Sequence, residues 1–298
     1  MKRYVFGFLY YTGVTRFVAW CNRKRVMILC YHSVSVRPDL PSDLHKQHIP
    51  VHLFRAHLDY LQRYSHVVSL KEYVRARRAG QALPHGSVVL TFDDGFRNFL
   101  TVAAPLLVQL GLPATAFIIT EKASEREIPE GDLQWNSSHD RTFLSWPEIH
   151  LLARQHGIDF GSHSHSHPEL TAVSPEEVER ELKNSLERLV QKLGCEEVSF
   201  AYPHGRTTAQ ISELARAAGY TCAVTGTLGA NKMETDPHQL YRIIIAADDD
   251  LATFAARVAG LTWWADRIRA FFLRPVKRSQ GAQPQRTPLQ GLNRLDYE

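Results

Sequence analysis

Two strings far apart in the chain hold the residues best suited to chemistry. Thr91-Phe92-Asp93-Asp94-Gly95 sets two carboxylates side by side directly after the apolar run Val88-Val89-Leu90. His163-Ser164-His165-Ser166-His167-Pro168 offers two imidazoles, His163 and His167, four residues apart. One carboxylate and two imidazoles make a three-ligand set that leaves a divalent cation open to water. The second carboxylate is then placed to take a proton from that water, so the reaction class is metal-assisted hydrolysis. Two adjacent carboxylates repel one another, and a cation bound to one of them relieves this. Gly95 permits a turn after the pair. On a helical turn the four-residue spacing puts both imidazoles on one face. The small serines between them let a loop curl around an ion, and Pro168 fixes its exit. His165 is expected to face elsewhere. The donor set suits zinc, and also cobalt, nickel or iron.

A scaffold must bring these strings together. Apolar runs of strand length fall at Val26 to Tyr31, His66 to Leu70, Val88 to Phe92, Ala114 to Thr120, Ile158 to Phe160, Val198 to Tyr202, Tyr220 to Thr225 and Ile243 to Ala246. Helical patterns lie between them. One spans Leu53 to Tyr64, and a shorter one spans Ala104 to Leu110. Another opens at Ser174-Pro175-Glu176-Glu177, an N-cap with proline and acids in the first turn, and closes at Gly194. This alternation predicts a mainly parallel α/β sheet, and the number of strands favours a closed barrel. Barrels of this kind carry their active groups at the C-terminal ends of strands. Asp93-Asp94, His163 and the turn Tyr202-Pro203-His204-Gly205 all follow a predicted strand.

The chain has 298 residues and 44% apolar content, enough for one full core. Net charge is +4, from 35 basic and 31 acidic residues, and no basic stripe interleaves with aromatics, so nucleic acid is excluded as a partner. Cys21, Cys30, Cys195 and Cys222 form no CxxC pair, which argues against a zinc-thiolate site. No run is long and apolar enough for a transmembrane helix, and the N-terminus has no convincing signal-peptide cleavage site. A cytoplasmic or membrane-peripheral location is expected. Residues 1–25 read as an amphipathic segment that packs on the domain or rests on a membrane surface. Residues 26–273 read as the catalytic domain and 274–298 as a polar, disordered tail. Lys122 to Arg141 reads as a long loop on the active rim. A last helical stripe runs through Phe254, Val258, Leu261, Ile268 and Phe272, ending at Pro275.

The strings TFDDG, GSHSHSHP from Gly161, and Phe200-Ala201-Tyr202-Pro203-His204-Gly205 resemble the first three motifs of the polysaccharide deacetylases, the NodB-homology domain of carbohydrate esterase family four. The resemblance covers roughly residues 26–247. It implies a distorted (β/α) barrel of about seven strands. It further implies that Asp93 is the catalytic base and that Asp94, His163 and His167 hold a divalent metal, zinc foremost. Tyr202, Pro203 and His204 would line the substrate groove, with a backbone N–H near Tyr202 receiving the oxyanion. Leu29-Cys30-Tyr31-His32-Ser33-Val34 and Leu144-Ser145-Trp146-Pro147-Glu148-Ile149 are similar to segments of deacetylases acting on poly-N-acetylglucosamine and related envelope glycans. On that branch His32 is the expected general acid. Two departures stand out. Ala201 occupies the place of an arginine that orients the base in many members, so Asp93 must find another partner or do without. The late Leu-x-x-His and the Asp-Trp of the fourth motif are absent, and the last histidine, His238, does not fit the pattern. The implied activity is removal of N-acetyl groups from an N-acetylated polysaccharide or oligosaccharide of the bacterial-envelope type. An O-acetyl esterase, a non-sugar amide hydrolase and a glycan-binding domain without turnover stay open, as does the oligomeric state.

Overall fold

Strands buried on both faces read as continuous apolar runs, and here they close into a ring. The computed structural model describes residues 2–36, 48–126, 142–155 and 157–263. Its strands are β1 (Met27–Tyr31), β2 (Ser33–Ser35), β3 (His48–Pro50), β4 (His66–Val67), β5 (Ser87–Phe92), β6 (Ala114–Ile118), β7 (Ile158–Ser162), β8 (Ser199–Ala201), β9 (Cys222–Leu228) and β10 (Leu240–Ile244). Seven of them form a closed parallel barrel in the order β1-β10-β9-β8-β7-β6-β5, with β5 pairing back to β1. β4 pairs with the start of β5 outside the ring, and β2 with β3 apart from it. The ring is uneven. β1 and β5 pair from Met27–Val88 to Tyr31–Phe92, whereas β7 meets β8 only at Ser162 with Phe200, and the register slips between β9 and β10. This is the distorted barrel of about seven strands that the family resemblance implies.

The helices are α1 (Lys2–Tyr11), α2 (Val14–Cys21), α3 (Val51–Tyr64), α4 (Leu70–Arg78), α5 (Ala104–Gln109), α6 (Trp146–Ala153), α7 (Pro175–Leu193), α8 (Ala209–Ala218) and α9 (Leu251–Ala259). Ser174 caps α7 by accepting from the Glu177 N–H, and Gly194 ends it in the left-handed region, as the sequence predicts. Alternation along the strands sorts side chains into two layers. Ile28, Val89, Phe117, Ala201, Val224 and Leu240 pack together in the lumen, closed at the base by Leu70, Tyr73 and Val74 of α4. Leu29, Leu90 and Ile243 face outward into the layer that holds Phe54 and Leu58 of α3 and Leu182 and Leu189 of α7. Burying each such side chain contributes roughly 1.5–3 kcal/mol.

Some boundaries differ from the sequence reading. The strand expected to Leu70 stops at Val67, because Ser69 and Glu72 form a capping box that starts α4. The late stripe breaks at Gly260, whose φ of 89° ends α9 after Ala259. Ile268, Phe272, Pro275 and the expected tail 274–298 lie outside the described residues, as does 127–141 of the expected rim loop. No helix among the described residues is long and apolar enough to cross a membrane. α1 and α2 pack on α9.

Candidate active site

Parity carries three lumen rows up to the barrel mouth. Above Ile28 on β1 come Cys30 and then His32. Above Val89 on β5 come Thr91 and Asp93, and above Leu240 on β10 comes Arg242. β5 ends at Phe92, and Asp94 then turns with φ of 71°. Gly95 follows with the same φ, and a Cβ there would meet Ile118 Cδ1 at 2.9 Å. The turn directs both carboxylates into one pocket with His32, His163, His167 and Arg242.

The histidine string is a folded loop rather than the helical turn considered from its spacing. Ser164 and His167 have φ of 65° and 69°. Ser164 Oγ accepts the His167 N–H at 2.9 Å, closing the loop. Glu181 of α7 anchors it from behind: its carboxylate accepts the N–H groups of His165 and Ser166, each at 2.8 Å, and the Ser166 hydroxyl at 2.6 Å. His165 turns away to Thr120, with Nδ1 3.0 Å from its hydroxyl. His163 Nδ1–H donates to the Ala201 carbonyl at 2.8 Å, which leaves Nε2 as the lone-pair nitrogen aimed at Asp94.

Asp94 Oδ1 lies 3.5 Å from His163 Nε2 and 3.7 Å from His167 Nε2, and the three donor atoms all fall within 4.8 Å of one another. Ligands about 2.1 Å from a tetrahedral zinc stand roughly 3.4 Å apart, so this donor set fits such an ion. The electrostatics agree. Burial, joined by the charge of His163, lowers His167 to about 4, so it is neutral at neutral pH. Burial opposes charge on His163, but Asp93 and Asp94 outweigh it and push its pKa up. The pocket thus draws positive charge to this point, which a proton or a metal ion can supply. Cys30, His32 and Asp93 also bring donor atoms within 4.8 Å. Asp93 already holds a guanidinium, which makes a second cation there unfavourable.

That guanidinium is the partner that sequence reasoning missed. Arg242 Nη1 donates to Asp93 Oδ1 and Nη2 to Oδ2, both at 2.7 Å, in a fully buried bidentate pair. Arg242 Nε is held by the Thr225 carbonyl at 2.9 Å. Burial works against an ionised Asp93, yet the Arg242 charge prevails and holds the carboxyl well below the usual carboxylate range. The Cys30 thiol, pushed up by burial and so protonated, donates to Asp93 Oδ2 at 3.4 Å.

The remaining expected residues divide. His32 stands half-buried in the pocket, and His204 lines it with its ring 4.7 Å from that of His167. Tyr202 and Pro203 do not line it. Tyr202 is fully buried, with its hydroxyl donating to the His238 carbonyl and its N–H to the Val224 carbonyl. Pro203 is also buried. Their side chains build the turn beneath the pocket, and the Tyr202 N–H is spent on the Val224 carbonyl. The turn itself is tight: Gly205 has φ of 67°, and a Cβ on it would meet Gly226 Cα at 2.5 Å. His238 lies away from the pocket, with Nε2 2.9 Å from the Tyr220 carbonyl.

Comparison with known proteins bears on the family and the fold. Residues 80–223 match the family model described as polysaccharide deacetylase. The chain is 24% identical over 247 residues to YxkH of Bacillus subtilis (strain 168), whose name places it with the polysaccharide deacetylases, covering 82% of this chain and 80% of that protein. It is 23% identical over 224 residues to the poly-beta-1,6-N-acetyl-D-glucosamine N-deacetylase of Escherichia coli (strain K12), covering 64% of this chain and 32% of that protein. The chain therefore spans about a third of the length of that enzyme. The fold is similar to that of the Streptococcus pyogenes deacetylase PplD in complex with acetate, with a TM-score of 0.66 and 24% identity over 78% of this chain and 98% of that one.

Proposed function

We propose that this chain, whose residues 80–223 match the polysaccharide deacetylase family model, removes N-acetyl groups from an N-acetylated glycan of the bacterial-envelope type and depends on a divalent cation, zinc foremost. The observation that carries the reading is the Asp94, His163 and His167 donor set beside an Asp93 clamped by Arg242. The name of the Escherichia coli relative favours N-acetylglucosamine polymers as the substrate class. A divalent ion held by the three donors supplies Lewis acidity to a carbonyl oxygen and lowers the pKa of water.

The chain's own groups do the rest. Asp93 is the proton acceptor. Oδ1 spends one lone pair on Arg242 and keeps another for an incoming proton, whereas Oδ2 accepts from both Arg242 and the Cys30 thiol. Arg242 fixes the carboxylate plane, so the base cannot rotate away from the pocket. The His204 N–H, two residues from Tyr202, meets no acceptor among the described residues and takes the oxyanion role. His32 offers a donor atom within 4.8 Å of Asp93 and delivers the proton to the leaving amine, which cannot depart as an anion.

The test is acetate release from N-acetylglucosamine oligomers by the full chain, with zinc and with a chelator. Zinc-dependent release is expected. Oligomer binding without acetate would make the chain a binding domain. Turnover of aryl acetates with N-acetyl sugars untouched would make it an esterase.

A further inference from the structure

The base of the barrel carries a second surface, made by α1 and α2. Their inner residues pack: Thr15 is fully buried, and Asn22 Nδ2 donates to the Ala259 carbonyl at 2.9 Å. Their outer residues do not. Tyr4, Phe8 and Tyr11 succeed one another at helical spacing on α1, and Phe17 and Trp20 do so on α2, with Tyr4 and Tyr11 each 86% exposed. Among the described residues every exposed Phe and Trp belongs to these two helices. Residues 1–25 also hold six Lys or Arg and no Asp or Glu.

Three of these cations sit against rings. The Arg23 guanidinium lies 4.1 Å from the centre of the Trp20 ring, Arg16 lies 5.7 Å from Tyr64, and Arg25 lies 5.3 Å from Trp263. Among the described residues none of the three pairs with a carboxylate. With Trp20, Tyr64 and His85 they line a cavity of about 280 Å³ beside the starts of β1 and β5. Amphipathic helices with aromatic residues on one face and cations beside it lie in the plane of a membrane interface.

We propose that α1 and α2 seat the protein on an anionic lipid bilayer, with Phe8, Phe17 and Trp20 in the interface and lipid phosphates against the arginine-lined cavity. A second copy of the chain is the poorer occupant, because it would set two acid-free basic segments against each other. The strands run from this cavity to the active mouth. Val88 lines the cavity, and Asp93 stands five residues further, roughly 17 Å up the barrel. A bilayer under the base therefore leaves the mouth facing the aqueous side. The proposal stands whatever the mouth hydrolyses, and its test reads binding alone.

The experiment is co-sedimentation of the full chain with vesicles rich in phosphatidylglycerol, against pure phosphatidylcholine. Binding to the anionic vesicles is expected, weakening as salt rises. Phe8→Ser with Phe17→Ser weakens it about tenfold or more. Arg16→Gln with Arg23→Gln weakens it roughly thirtyfold. Should either double variant melt lower, Trp20→Phe supplies a second reading: the wild-type emission shifts blue on anionic vesicles, and Trp20→Phe loses that shift. The proposal falls if the anionic vesicles do not bind, if both lipids bind equally, or if neither double variant nor Trp20→Phe changes the signal. It also falls if the aromatic substitutions dissolve a dimer and leave vesicle binding intact.

Discussion

The two ends of one barrel handle charge in opposite ways. At the mouth, cation and anion are buried together and the backbone is bent to aim them. All four non-glycine residues with positive φ among the described residues, Asp94, Ser164, His167 and His204, stand there. Each such residue costs on the order of 1–3 kcal/mol, a strain the surrounding structure must hold in place. At the base, positive φ falls only on glycines such as Gly13 and Gly86. Its arginines rest on rings at 4.1 to 5.7 Å, where no fixed angle is required. Coordination needs donor atoms placed to a fraction of an ångström, while adhesion needs only area and charge. Strain in this chain therefore marks the end where the proposed chemistry sits.

The largest test of that contrast is Asp93, the proposed base. Asp93→Asn should lower kcat for acetate release by about 10²–10⁴-fold with zinc content unchanged. Asp94→Asn should lose the zinc as well, by metal analysis after dialysis. Phe8→Ser at the other end should alter neither. Equal kinetic costs at both ends would remove the distinction. Next comes Arg242. Arg242→Met leaves Asp93 buried without its counter-charge, a loss of about 3–5 kcal/mol in denaturant unfolding. A purely structural role would stop there. A positioning role also moves the acid limb of kcat/KM to higher pH, because burial then raises a carboxyl that Arg242 had held down. Arg242→Lys should return part of both effects.

Arg242 also shows how far the sequence could be read. Asp93, Asp94, His163 and His167 are legible because short strings place matching donor types together. The barrel is legible because doubly buried strands make unbroken apolar runs. Arg242 was within reach: a single arginine interrupts Leu240–Ile244 in step with the lumen residue Leu240. What local pattern does not supply is the pairing of β10 with β1, which closes the ring and brings that arginine to Asp93. Glu181 is similar. It falls three residues after Val178 and beside Leu182, on the buried stripe of α7, yet it reads as one more acid in a charged helix. Tyr202 erred the other way, since a motif position does not reveal that its side chain turns inward.

A smaller effect separates the mouth histidines from one that serves only the fold. His57 of α3 is fully buried and stacks on Phe254, with ring centres 3.9 Å apart. The Tyr31 hydroxyl donates to its Nδ1 at 3.3 Å, and its Nε2–H donates to the Asp249 carbonyl at 3.2 Å. Neither nitrogen has room for an added proton, and burial lowers its pKa to about 4. Above pH 6.5 both folded and unfolded forms are neutral, and nothing is lost. As pH falls from there towards 4 the unfolded chain takes up the proton first, so stability declines, by about 3 kcal/mol in all. Unfolding curves across that range should show this decline in the wild type and not in His57→Asn, which starts from a lower stability.

The smallest effect expected at the mouth is Glu181, and it tests whether aiming is the purpose of the bent loop. Its carboxylate holds the backbone of His165 and Ser166 between the rings of His163 and His167, the proposed ligands. Partners of this kind typically alter metal affinity by about 10–100-fold. Glu181→Ala should weaken zinc binding by that amount in calorimetric titration. Glu181→Gln should recover part of it, since one amide oxygen still accepts the two N–H groups that Glu181 Oε2 now holds. Arg23→Gln at the base should leave zinc affinity unchanged. If Glu181→Ala bound zinc as the wild type does, the loop would hold its shape through Ser164 and Pro168 alone, and strain at the mouth would reflect chain closure rather than the aiming of ligands.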